Sequence, residues 1–108
     1  MTNPEIINKR KAIALNKIKS AYGTDEDEYG GIETFISHHI EEIEPEYWIK
    51  HLGKANPEPQ QVVSLLQFIH CWDDDLAYDF SLPDEATNYV ICVRFDNEEN
   101  IIELVMES

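Results

Sequence analysis

Between Thr87 and Asp96 the chain reads T-N-Y-V-I-C-V-R-F-D, and no other stretch limits the fold as strongly. Thr87, Tyr89, Ile91, Val93 and Phe95 fall on one face, and Val90, Cys92 and Arg94 on the other, a period of two that a helix would scatter around its axis. Both faces are partly apolar, so the pattern predicts a central strand with neighbours on each side. Leu76, Tyr78, Phe80 and Leu82 alternate in the same way before the turn at Pro83-Asp84-Glu85. Ile101 to Met106 follows the loop Asn97-Glu98-Glu99-Asn100, where an asparagine tolerates positive φ. The segment from Asp75 to Ser108 is therefore expected to form an antiparallel meander of about three strands.

The residues before it carry helical signals. Asn3-Pro4-Glu5 supplies a cap, a proline at the first helical position and an acid in the first turn. Ile7, Ala14, Ile18 and Ala21 then recur at helical spacing up to about Tyr22, before Gly23. Ile32, Phe35, Ile36, Ile40 and Ile43 predict a second helix that ends before Pro45. Pro45 to Leu52 makes a short third one, closed by Gly53 in a left-handed cap. Asn56-Pro57 repeats the opening signal and is expected to start a fourth helix with Val62, Leu65, Leu66, Ile69 and Trp72 as one apolar stripe. The expected architecture is a single α+β domain over residues 1–108, with about four N-terminal helices packed on one face of a three-stranded antiparallel C-terminal meander.

Charge narrows the partners. The 108 residues carry 22 acids and 8 bases, a formal net charge of −14. The first 22 residues are net positive, with Lys9, Arg10, Lys11, Lys17 and Lys19 against Glu5 alone, so the remainder is more acidic than the total suggests. A field of that sign repels phosphate backbones and anionic headgroups, which argues against nucleic acid and membrane surfaces, and it attracts a basic protein. Two cysteines, a polar N-terminus and no apolar run of membrane-spanning length suit a reducing cytoplasm. Solubility alone is the plainer reading of such a charge.

Motifs that carry chemistry are scarce. His38 and Glu42 lie four apart on one helical face beside His39 and could chelate a divalent ion. A third ligand would have to come in space, from His51, His70 or Cys71. The plainer reading is a helix-surface His-Glu contact with a half-buried His39. Cys71, beside His70 and ahead of Asp73-Asp74-Asp75, sits among anions at an expected helix C-terminus, which raise a thiol pKa and disfavour nucleophilic chemistry. Neither that triplet nor Asp25-Glu26-Asp27-Glu28 matches a calcium loop. Arg94 is expected to pair with Asp79 or Glu103 on a flanking strand. No phosphate-cradling loop, nucleophile elbow or C-x-x-C is present, and no cofactor is implied.

The pieces F-I-S-H-H-I-E-E-I (Phe35 to Ile43), Y-D-F-S-L-P-D-E-A-T-N-Y-V-I-C-V-R-F-D (Tyr78 to Asp96) and M-E-S (Met106 to Ser108) resemble a family of short acidic bacterial proteins classed as a domain of unknown function, number two thousand and four. The D-F-x-L-P and T-N-Y-V combination is its most specific part. The resemblance implies an α+β fold and no activity, and Asn100 stands where the family pattern leads one to expect glycine, which leaves the turn type open. Two functional expectations remain. One is an interaction protein, in its sharpest form an immunity protein neutralising a basic toxin, with Asp73, Asp74, Asp75, Asp79, Asp84 and Glu85 as the contact acids. The other is a metal-binding protein or metal-dependent enzyme using His38, His39 and Glu42. The oligomeric state is left open.

Overall fold

A computed structural model describes residues 4–24, 27 and 31–107. Among them run α1 (Pro4–Ala21), α2 (Gly31–Glu42), α3 (Pro45–Leu52), α4 (Pro59–Leu65), and then β1 (Gln67–Trp72), β2 (Ala77–Ser81), β3 (Val90–Phe95) and β4 (Ile101–Glu107). The strands form one antiparallel sheet in the order β1-β2-β3-β4. The α+β class and the order of helices before strands follow the sequence patterns, but the sheet has four strands where three were expected.

The extra strand comes from the expected fourth helix, which stops at Leu65. Ile69 and Trp72 leave its stripe and join β1. Spacing at 62, 65, 66 and 69 fits a helix, yet Gln67–Trp72 is rich in aromatic and β-branched groups that suit a pleated surface. Pairing with β2 also satisfies the backbone along that edge, from Gln67↔Ser81 to Trp72↔Ala77. A helix continued through Trp72 would leave β2 with a free edge. The helix also starts later than Asn56-Pro57 suggests, at Pro59, where the Gln61 side chain accepts the Glu58 N–H at 2.9 Å. Cys71, expected at a helix C-terminus, is therefore a strand residue opposite Tyr78.

Helices and sheet meet through one apolar layer. Ala14 and Ile18 of α1, Ile32, Phe35 and Ile36 of α2, Trp48 of α3 and Val62 of α4 are buried with Tyr78, Phe80, Ile91, Val93 and Phe95 of the sheet. Those five sheet residues share one face, as the alternation requires. The basic side of α1 is used within the molecule as well. Arg10 donates to the Asp75 carbonyl at 2.9 Å and lies 3.6 Å from Glu99, Lys9 lies 3.4 Å from Glu99, and the Lys11 ammonium sits 4.5 Å from the Phe68 ring centroid. The cations thus tie the first helix to the two hairpin turns at that end of the sheet.

Several acids have local duties. The Asp27 carboxylate accepts the Ile32 and Glu33 N–H groups, both at 3.1 Å, and so caps α2. Asp25, Glu26 and Glu28 of the same run, and Asn3 of the first expected cap, lie outside the described residues. Asp73, Asp74 and Asp75 build the β1–β2 turn with φ of 55°, 55° and 62°, and Leu76 N–H closes it on the Trp72 carbonyl at 3.2 Å. Aspartate enters the left-handed region more readily than most side chains because its short polar group can bond locally. Asp74→Val should consequently cost about 1–2 kcal/mol in chemical denaturation while Asp74→Gly stays neutral or gains up to about 1 kcal/mol. Equal costs for the two would contradict this backbone role.

The β3–β4 turn differs from expectation in the same way. Glu99, with φ of 67°, and not an asparagine, takes the positive-φ position. The Asp96 carboxylate holds the loop by accepting the N–H of Glu98 at 2.8 Å and of Asn100 at 3.0 Å. Those two donors keep the Asp96 carboxyl below its ordinary range, with the Asn100 bond the larger cause.

Candidate functional site

The sheet has a second face, opposite the helices, and its centre is unusual. Register places Asp79 opposite Cys92 and Ala77 opposite Arg94, with Glu103 beyond Arg94 and Val105 beyond Cys92. His70 lies across from Asp79 on β1. Ala77, Asp79, Ser81 and Cys92 are all buried although they point away from the helix-packed core. Their hydrogen bonds and ion pairs run to residues of the sheet and its turns. The His70 Nε2 is 3.0 Å from one Asp79 oxygen, and the Trp72 Nε1–H donates to the other at 3.2 Å. Ser81 donates to the Tyr89 carbonyl at 2.7 Å.

Asp79 is thus a carboxylate only 7% exposed, held by an imidazole and an indole. Cys92 faces it, fully buried. Burial, and then the hydrogen bond and charge of Asp79, push the Cys92 thiol up to about 12. A thiol so protonated is no free nucleophile. Arg94 does not pair with Asp79. It is bound to Asp73 in the β1–β2 turn, lies 3.7 Å from Glu103, and its guanidinium sits 5.0 Å from the Trp72 ring centroid. Of the two partners expected for it, Glu103 is the one found.

At the Ser81 end of the sheet lies a groove of about 640 Å³, between Gln67–Ile69 of β1 and Thr87-Asn88 before β3. Asp84 and Glu85 stand in its wall, both at positive φ. Asp84 is held by Lys50 at 3.0 Å and His51 at 2.9 Å from α3, which keep its carboxyl below the ordinary value, Lys50 foremost.

The six acids expected to contact a partner are hence arranged along β2. Asp73 and Asp74 stand in the turn at one end, Asp79 is buried at mid-strand, and Asp84 and Glu85 stand at the other end. Asp75 is turned to the α1 side, where its carboxylate accepts from the Cys71 thiol at 3.1 Å and its carbonyl from Arg10.

Protein-family models, curated protein sequences and solved structures were compared with the chain, and nothing matches.

The expected ligands on α2 are placed apart from all this. His39 is buried, its Nδ1–H donating to the Phe35 carbonyl at 2.5 Å and its Nε2 accepting from the Thr87 hydroxyl at 2.8 Å. Both ring nitrogens are engaged, and the side chain is more deeply buried than the half-burial expected. His38 and Glu42 are exposed. His51, His70 and Cys71 do not converge on His38, since each is tied to an aspartate. Among the described residues, the three that bring ligand atoms within 4.8 Å of one another are Asp79, Cys92 and Glu107. Sequence reasoning did not single out Glu107, because only the register of β4 against β3 brings it near Cys92. Burial and Asp75 raise the Cys71 pKa, the direction expected, with burial the larger cause.

Proposed function

We propose that this chain is a non-enzymatic interaction module for a basic protein, with toxin neutralisation by an immunity protein as the form that best suits its size and charge. The observation that carries this reading is the groove beside Asp84 and Glu85, at the end of a sheet whose other face the helices leave uncovered. Trp72, 40% exposed, offers an aromatic anchor on that face, with the Arg94-bound carboxylates of Asp73 and Glu103 at the same end of the sheet. Aromatic anchors within a charged rim are the usual anatomy of an interface. A cationic side chain of the partner would meet Glu85 there, since Asp84 is held by Lys50 and His51.

The resemblance to the acidic family of unknown function belongs with this proposal. No helix of the described residues is long and apolar enough to cross a membrane, which agrees with a partner other than the bilayer interior.

The test starts from affinity capture at low salt, followed by binding measurements with the purified basic protein recovered. Wild-type affinity is expected to fall steeply with salt, as steered, charge-complementary association does. Glu85→Lys and Glu103→Lys, both surface changes, should each weaken it tenfold or more. Recovery of no basic protein, or affinity indifferent to salt and to both substitutions, would overturn the reading.

A further inference from the structure

We propose that the outer face of the sheet holds a site for a borderline-soft divalent ion of the zinc class, with Asp79, Cys92 and Glu107 as its ligands and His70 as a positioning residue. The inference is independent of the protein-partner reading, and it lies on different residues from the α2 histidines.

The geometry is built by register. Asp79 and Cys92 are directly opposed on β2 and β3, and Glu107 comes from β4, opposite Val90 and two residues along from the partner of Cys92. Cys92 and Glu107 are thus diagonal neighbours on one face, with Asp79 on the strand beyond Cys92. The long glutamate spans the diagonal that the shorter side chains cannot. Their ligand atoms lie within 4.8 Å of one another, with Asp79 and Cys92 buried and Glu107 exposed. Three adjacent strands therefore contribute one ligand each, and the exposed member leaves a way in from solvent.

Neither the carboxylates nor the thiol would mark a site alone. The mixture does, because it selects by chemistry. Calcium and magnesium take oxygen ligands and decline sulfur, whereas Zn²⁺ accepts thiolate, imidazole and carboxylate in one tetrahedron. Three protein ligands leave the fourth position to water or to an incoming group, the pattern of an open site. His70 completes the arrangement from the far side. Its Nε2 is 3.0 Å from the Asp79 carboxylate, so it orients the ligand as a hydrogen-bonding neighbour of metal carboxylates does. Trp72 Nε1–H fixes the other oxygen from the same strand.

Binding is a substitution at sulfur. The Cys92 S–H bond breaks heterolytically, its electron pair forms the S–metal bond, and the proton leaves to solvent. No electron changes hands, so no oxidant is needed.

A chain with this many acids collects cations loosely, so the test must see sulfur. The full-length protein, freed of metal with a chelator and kept reduced, is titrated with Co²⁺ as a spectroscopic probe. A thiolate-to-cobalt charge-transfer band should saturate at one equivalent, and Zn²⁺ should bleach it by displacement. Cys92→Ser should abolish the band, while Cys71→Ser and His38→Ala keep it. Glu107→Gln, at an exposed position that folding tolerates, should weaken binding tenfold or more, and His70→Ala by about 10–100-fold. Cobalt bound without a sulfur band, meaning surface carboxylates only, would overturn the assignment. So would a band that survives Cys92→Ser, or one that Glu107→Gln leaves unchanged.

Discussion

Phe80→Ala is expected to destabilise the protein by about 3–5 kcal/mol, the range for emptying a buried aromatic site, and so to consume much of the ~5–15 kcal/mol that holds a domain folded. Phe80 is 1% exposed and stands in β2, an interior strand, paired with Phe68 of β1 on one side and Ile91 of β3 on the other. Its ring meets Phe68 at 6.0 Å between centroids, and it sits in the same buried layer as Phe35 and Ile91. Strands on both flanks cannot close on the void without breaking register, so little of the loss is recovered by relaxation. Trp72→Ala, a larger truncation at a residue 40% exposed on the opposite face, should cost clearly less. Urea denaturation followed by circular dichroism compares the two. A loss below about 1 kcal/mol for Phe80→Ala would mean that the helices do not pack on this face.

The contrast between those two aromatics shows what could be read from the chain and what could not. Alternation in Tyr78-Asp79-Phe80 and in Ile91-Cys92-Val93 assigns each side chain to a face, because the pleat has a period of two whatever the neighbours are. Helical spacing through Phe35, Ile36 and Ile40 is equally local. The boundary after Leu65 is different. Phe68, Ile69 and Trp72 satisfy a helical and an extended pattern alike, and pairing with β2, a contact made by residues further along the chain, decides between them. The acids of the turns were visible as charge, but their left-handed backbone was not, since positive φ at Asp73 to Asp75 answers to the closure of a hairpin. The cluster on the outer face was least legible. Cys92 was assigned to a face, yet its approach to Glu107 depends on the register of β4 across a bulge between Arg94 and Phe95.

Acidification should destabilise the protein, and His39 is the residue through which the loss begins. Its ring lies between Phe35, at 4.2 Å between centroids, and Tyr89, at 5.7 Å, with His38 at 5.1 Å on the same helix. A carbonyl can only accept, so the proton of the neutral ring sits on Nδ1 toward Phe35, and Nε2 is left to accept from Thr87. A second proton on Nε2 would reverse that bond and place a cation among rings. Burial accordingly holds the His39 pKa below its ordinary 6.5, reinforced by the charge of His38 and opposed by the Phe35 carbonyl. With the folded value depressed, the unfolded chain binds more protons once the pH falls through 6.5, and stability drops from there toward the folded pKa. The slope for one such group is at most about 1.4 kcal/mol per pH unit. It is separate from the loss at lower pH, where Asp84 and Asp96 must be protonated, because their carboxyls are depressed from 3.8. His39→Gln, which keeps a polar side chain in reach of Thr87, should flatten the profile between neutrality and pH 5, and His38→Ala should leave most of the slope. Ring-proton titration by NMR identifies the group directly: one histidine must stay neutral below pH 6.5 and vanish from the spectrum of His39→Gln. A His39 that protonates at or above its ordinary value would show that the ring is not buried between α2 and the segment leading into β3.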